Sequence, residues 1–142
     1  MSIADKMLSG PTLPRFIRPK SHALLDYLTT AGFLVLGGLF WGRHNRAAAT
    51  AVINGFAVLG ASMLTDYPGG LGLIPFRTHG KIDIAQMSMA AGMPALLGFG
   101  GSSAATPFAA QAVFEALIIA TTDWDNTGRG IEELRLRTRR AA

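Results

Sequence analysis

Shifted by 57 residues, this sequence meets itself. Lys20-Ser21-His22-x-x-x-Asp26 falls on Arg77-Thr78-His79-x-x-x-Asp83, Thr65-Asp66-Tyr67 falls on Thr122-Asp123-Trp124, and Asn54 falls on a second amide, Gln111, all without a gap. An internal repeat fixes architecture before any single motif does, because both copies must adopt one unit and pack against each other. Here the polar residues keep register while the apolar ones drift, so the repeat preserves a polar constellation.

The stretches between these landmarks are apolar and long. Residues 22–42, 46–65, 79–99 and 104–122 each approach the ~20 residues that cross ~30 Å of hydrocarbon, in a chain that is 49% hydrophobic and 15% charged. His22, Asp26, Asp66, His79, Asp83 and Asp123 all fall near helix ends, and Glu115 alone lies deep inside a stretch. A water-soluble bundle would need a charged face on each helix, which residues 31–42 and 86–99 lack. The expected fold is therefore all-α: a four-helix transmembrane bundle made of two parallel helical-hairpin repeats, 20–67 and 77–124, related by a pseudo-twofold axis along the membrane normal. Residues 1–21, broken by Pro11, Pro14 and Pro19, are expected to form a peripheral lead-in to a membrane domain at 22–126, and residues 127–142 a basic tail.

Finer features follow from the same frame. Ser21 and Thr78 are expected to cap the first helix of each repeat, and Tyr67 and Trp124 to sit at the headgroup level. Ala105, Ala109, Ala112, Ala116 and Ala120 form a small-residue stripe, with Ala51, Gly55 and Gly60 in a similar role on the second stretch. Pro94 is expected to bend the third. Eleven of the thirteen Lys and Arg lie in the N-terminal segment, the 66–78 connection with Lys81, and the tail. The positive-inside bias then places both termini in the cytoplasm, with the protein integral to the cytoplasmic (inner) membrane. There are no cysteines, so disulfides and thiolate metal sites are excluded.

The repeated polar residues should gather at one end of the bundle. His and Asp at i, i+4 share a helix face, so His22 with Asp26 and His79 with Asp83 each present an imidazole beside a carboxylate, and Asp66 and Asp123 add one more per hairpin. Two imidazoles and four carboxylates are a candidate metal cluster, with oxygen and nitrogen donors suited to iron, manganese or zinc. A haem held axially by His22 and His79 is a further reading. The same residues have a structural use. Asp at helix C-termini and Lys, Arg or His at N-termini oppose the helix dipole, so pairing within each hairpin would offset both and pin the register.

Glu115 has Val58 as its repeat counterpart, so the repeat does not account for it. A carboxylate at that depth must be protonated, paired or turned to a cavity. Gln111 lies one turn away and Asn54 across the helix pair, which makes these three a candidate intramembrane polar set. They are read equally as helix glue and as part of a proton route.

The chain resembles the SPW-repeat membrane proteins, small bacterial and archaeal proteins built from a two-helix unit that starts near His-x-x-Leu-Asp. His22-Ala23-Leu24-Leu25-Asp26-Tyr27 and Leu64-Thr65-Asp66-Tyr67 carry the likeness, and Leu73-Ile74-Pro75 matches the family's linker. It covers about 15–125. The namesake tripeptide is absent: the second repeat has Pro94-Ala95-Leu96-Leu97-Gly98-Phe99 and the first Gly37-Gly38 in its place. The resemblance implies the fold and topology and carries no activity.

Three functions fit these residues. The first is an accessory, assembly or structural subunit of the membrane, with a membrane-protein partner or as a homodimer. The second is a metal- or haem-binding membrane protein or metal-dependent membrane enzyme using the cluster. The third is a small proton-coupled transporter using Glu115. No nucleic-acid motif is present, and topology accounts for the basic balance.

Overall fold

A computed structural model describes residues 2–9 and 13–126, so the basic tail expected at 127–142 lies outside the described residues. The described chain is helical: α1 (Ile3–Ser9), α2 (Pro19–Phe40), α3 (Asn45–Leu64), α4 (Phe76–Leu96) and α5 (Thr106–Thr121), the last entered through a 3-10 turn at Ser103–Ala105. α2 packs on α3 and α4 on α5.

The first helix of each hairpin starts earlier than its hydroxyl residue suggests. Pro19 opens α2, where its fixed φ and missing N–H suit the first position, and α4 follows Pro75. The His22 N–H donates to the Arg18 carbonyl at 2.9 Å and the His79 N–H to the Pro75 carbonyl at 3.0 Å. Ser21 and Thr78 therefore lie inside the first turn instead of capping it. Each histidine is carried a turn into its helix, and both are buried.

α2, α3 and the segment Ser103–Thr121 are long and apolar enough to cross a membrane. α4 has the length, at 21 residues, but Arg77, Lys81, Asp83 and Gln86 make its first half polar, and it is not among the three. Pro94 sits in the last turn of α4, two residues before its end. Two residues past Leu96, Gly98 takes the left-handed φ of 72° that turns the chain toward α5.

Side-chain distribution is inverted relative to a water-soluble bundle. Leu28, Val35, Leu39, Ile53, Phe56 and Val113 face outward, each more than half exposed, while Thr50, Asn54, Ser62, Thr65, Glu115 and Thr122 are buried. Small residues bring α2 and α3 together, as expected for Ala51 and Gly55: a Cβ at Gly37 would strike Val52, and one at Gly55 would crowd Leu34 and Phe33. Gly60 has nothing near it. On α5 the alanine stripe is packed in part: Ala112 is buried with Phe108, Glu115 and Ile119, Ala105, Ala116 and Ala120 are half-buried, and Ala109 is exposed.

One end of the structure is closed by the segments that lead into α2 and α4. Ile17 forms a parallel bridge with Thr122 and Ile74 one with Thr65. The leader of α2 is thereby tied to the end of α5, and the leader of α4 to the end of α3. Residues 3–9 are more than a lead-in: α1 lies over this end, with Leu8 fully buried, in one core cluster with Phe76, Ile119 and Trp124. Lys81 bonds Asp5 at 2.8 Å, and that bond, ahead of those from Ser2, holds the Asp5 carboxyl well below its usual range.

Candidate metal centre

His22 and His79 meet beneath α1, their rings 5.3 Å apart between centroids and close to perpendicular. Each presents Nε2 to the same two carboxylates. His22 Nε2 lies 3.1 Å from Asp83 and 3.5 Å from Asp26; His79 Nε2 lies 3.0 Å from Asp26 and 3.3 Å from Asp83. Each aspartate thus bridges both imidazoles, closing a ring of alternating nitrogen and carboxylate donors. All four residues are at most 5% exposed.

The other ring nitrogen fixes what Nε2 can be. His22 Nδ1 lies 3.0 Å from Thr122 Oγ1, and His79 Nδ1 lies 2.8 Å from Thr65 Oγ1. Each threonine hydroxyl spends its single proton on a backbone carbonyl one turn back, Ile118 at 2.7 Å and Ala61 at 2.6 Å. The hydroxyl can therefore only accept from the imidazole, so Nδ1 carries the hydrogen and donates it. In the neutral imidazole Nε2 is then a bare lone pair aimed at a carboxylate. Lone pairs facing each other at about 3 Å in a dry site need something positive between them, either a proton shared by each imidazole–carboxylate pair or a metal ion.

The two carboxylates are not equivalent. Asp26 Oδ2 also accepts from Ser62 Oγ at 2.9 Å and Tyr67 Oη at 3.1 Å. Burial, with the Asp26 carboxylate beside it, pushes the Tyr67 hydroxyl above its usual value, so it remains a donor. The equivalent residues on the other side, 57 positions on, are Ile119 and Trp124, and the Trp124 indole N–H donates to the Ile119 carbonyl instead. Among the described residues, Asp83 has only the two imidazoles as hydrogen-bond or ion-pair partners. His22, His79 and Asp83 each offer one donor atom within 4.8 Å of the others, and Asp26 joins them through its contacts with both rings.

Aromatic side chains wall the cluster. Trp124 packs edge-on to His22 at 4.9 Å, Tyr67 to His79 at 5.6 Å, and Phe76 touches both rings. Tyr67 and Trp124 are buried over the imidazoles rather than turned out to headgroups. Gly80 makes room: a Cβ there would strike Trp124 and Leu8.

Of the six residues expected to converge, four do. Asp66 and Asp123 are half-buried beyond the ends of α3 and α5. Their N–H groups donate to the Ile74 and Ile17 carbonyls, and the bonds to the imidazoles come from the threonines just before them. The expected pairing of each histidine with the Thr-Asp end of its own hairpin is replaced by bonds between hairpins: His22 reaches Thr122 and Asp83, and His79 reaches Thr65 and Asp26. The haem arrangement does not fit, because the imidazole centroids are only 5.3 Å apart and each Nε2 faces the Asp26 and Asp83 carboxylates.

A second polar layer lies further along the helices. Gln86 Nε2 donates to Asn54 Oδ1 at 2.6 Å, joining α4 to α3, and Gln111 Nε2 donates to Glu115 at 2.9 Å. Glu115 is buried in the same core, within electrostatic reach of Asp83, Asp26 and His79. Asn54 bonds Thr50 and Gln86 and so belongs to the other helix pair, not to Glu115.

No protein-family model matches this chain, and no curated protein or solved structure does.

Proposed function

We propose that this chain is a small integral membrane protein whose two hairpins are clasped at one end by a single divalent transition-metal ion held by His22, His79, Asp83 and Asp26. One observation carries the reading: both threonine-fixed imidazoles turn an Nε2 lone pair toward the same two carboxylates, and His22, His79 and Asp83 each offer a donor atom within 4.8 Å of the others. Metal-bound histidines commonly donate their second ring N–H to an oxygen in this way, which sets both tautomer and orientation. The shortest nitrogen-to-oxygen contacts, 3.0 Å from His79 to Asp26 and 3.1 Å from His22 to Asp83, are compatible with an ion that binds nitrogen and oxygen at about 2.0–2.1 Å, as zinc does. Zinc is the first choice, with manganese and iron(II) next.

The surrounding architecture is the two-repeat one that the SPW-repeat likeness implies. Its support is that contacts recur in pairs 57 residues apart: His22 to Thr122 with His79 to Thr65, and Ile17 to Thr122 with Ile74 to Thr65. α4 serves as the fourth span, its polar face turned onto the cluster, and the basic residues place the clasped end in the cytoplasm. The role is structural or accessory within the membrane.

Metal content decides the matter. Protein purified without chelator and analysed by plasma mass spectrometry is expected to hold about one zinc, manganese or iron per chain, and the His22→Ala/His79→Ala double variant none. Background metal in the wild type, together with no calorimetric uptake of Zn²⁺, Mn²⁺ or anaerobic Fe²⁺, would sink the proposal. A second reading would then stand, favoured by separations that are also those of hydrogen bonds: a metal-free clasp of two imidazoliums and two carboxylates in an assembly subunit.

The threonines offer an independent check. Thr122→Val keeps shape but removes the acceptor that fixes the His22 tautomer. Metal affinity is expected to fall 10–100-fold, the usual cost of losing such a support, with helix content unchanged by circular dichroism. Unaltered affinity would mean that Thr122 does not set the donor atom.

A further inference from the structure

The two layers of polar contacts are not matched by two equally closed helix interfaces. Between α3 and α4, Gln86 and Asn54 are bonded at 2.6 Å. Between α2 and α5, the residues 57 positions away in register are Thr29 and Gln111, and these lie 3.5 Å apart, the outer limit of a hydrogen bond. A groove of about 200 Å³ opens there, lined by Leu25, Leu28, Phe33, Leu36 and Phe114, with Thr29 and Gln111 as its polar groups. Gly32 lies in its wall, and a Cβ added to Gly32 would meet nothing within 4 Å. The residue 57 positions on is Met89.

The polar groups are specific about what they can receive. Among the described residues Thr29 donates to no backbone carbonyl, unlike Thr50, Thr65, Thr121 and Thr122, so its proton is uncommitted there. The Gln111 amide donates through Nε2 to Glu115 and weakly to Thr29, which leaves Oε1 as an acceptor. Both residues line the apolar groove, so its wall carries an open donor and an open acceptor. A hydroxyl satisfies both, accepting from Thr29 and donating to Gln111. A carbonyl would satisfy only Thr29, an alkane neither, and a carboxylate would set negative charge against Oε1 with Glu115 behind it.

We infer that the α2–α5 groove is a binding site for a membrane-soluble alcohol, an apolar molecule that ends in a hydroxyl bound between Thr29 and Gln111. An apolar cavity of about 150 Å³ holds one benzene ring, so the groove takes a ring or a short run of methylenes, and the rest of the molecule lies among lipid chains. Unmet polar groups in hydrocarbon are costly, which gives the hydroxyl its advantage over the lipid tails that compete for the groove. The site uses none of the proposed metal ligands, and metal content measured on the same samples tests that centre separately.

The test follows the methyl resonances of Leu25, Leu28 and Leu36 in the full chain, labelled and held in dodecylmaltoside micelles, during titration with 1-decanol, decane or decanoate. The expected result is a saturable shift with 1-decanol and at least tenfold weaker responses to the other two. Gly32→Met, which places in α2 the residue that α4 has, should abolish the shift by filling the groove. Thr29→Val should weaken 1-decanol about tenfold and leave decane unchanged. Equal, unsaturable responses to 1-decanol and decane, or insensitivity to both substitutions, would show a cleft filled by any hydrocarbon and overturn the inference. Preferential binding of decanoate would overturn the assigned chemistry.

Discussion

His22→Ala is expected to destabilise the fold by about 3–5 kcal/mol, the cost of removing one partner of a buried charge pair, and to cost more than His79→Ala although the two imidazoles occupy equivalent positions. The difference lies in what each leaves behind. Without His79, Asp26 still accepts from Ser62 and Tyr67, so its carboxylate stays partly solvated by protein donors. Without His22, Asp83 loses its hydrogen bond of 3.1 Å and keeps only the longer contact to His79 at 3.3 Å, whereas without His79 it keeps the His22 bond. The uncovered charge should add roughly 1–3 kcal/mol to the cost, the penalty for a buried group left short of a partner. Trp124 and Phe76 also lose the ring they pack against. Equilibrium unfolding by SDS titration in mixed micelles would measure both variants, with Ser62→Ala as a control expected to cost about 1 kcal/mol. Equal costs for the two histidines, or a larger one for His79, would contradict the partner assignments.

Much of this arrangement is legible in the sequence. The 57-residue offset brings His22, Asp26, His79 and Asp83 into register, and His-x-x-x-Asp places each pair on one face. The length and apolarity of α2, α3 and α5 follow from the same reading. The partner of each imidazole does not, because a helix-end aspartate is the obvious counter-charge. The helices stop at Leu64 and Thr121, so Asp66 and Asp123 fall beyond the helix ends, with their N–H groups bonded to Ile74 and Ile17. The hydroxyl one residue earlier takes the imidazole. Thr65 and Thr122 repeat in register as faithfully as the aspartates, and that was the available signal. Thr29 and Gln86 differ in type, so the repeat conceals that they occupy one position. Ser62 and Tyr67 lack polar or hydroxyl counterparts, which hides the unequal support of Asp26 and Asp83. α1 is too short and mixed in composition to announce itself, and only Leu8 between Gly80 and Trp124 explains its place.

Stripping the metal should lower the melting temperature of the wild type by roughly 10–15 °C. An ion that binds only the folded chain, present at a thousand times its dissociation constant, stabilises by about 4 kcal/mol, and each kcal/mol moves the midpoint of a domain this size by about 3 °C. Scanning fluorimetry in dodecylmaltoside, with and without EDTA and then with zinc restored, would read the loss and its recovery. The His22→Ala/His79→Ala variant should melt lower and ignore the chelator, which separates loss of the ion from unspecific effects of EDTA. The contrast is informative because two carboxylates can be neutralised by one divalent cation or by two imidazole protons. A metal-free clasp would melt at one temperature whether or not EDTA is present, and Asp83 would then be held by two imidazolium N–H groups alone. A metal-filled clasp gives Asp83 a direct bond to the ion, and its lack of hydroxyl donors becomes the reason it is free to be a ligand. Asp83→Asn should therefore remove the chelator's effect entirely, whereas Asp26→Asn, with Ser62 and Tyr67 still in place, should retain part of it.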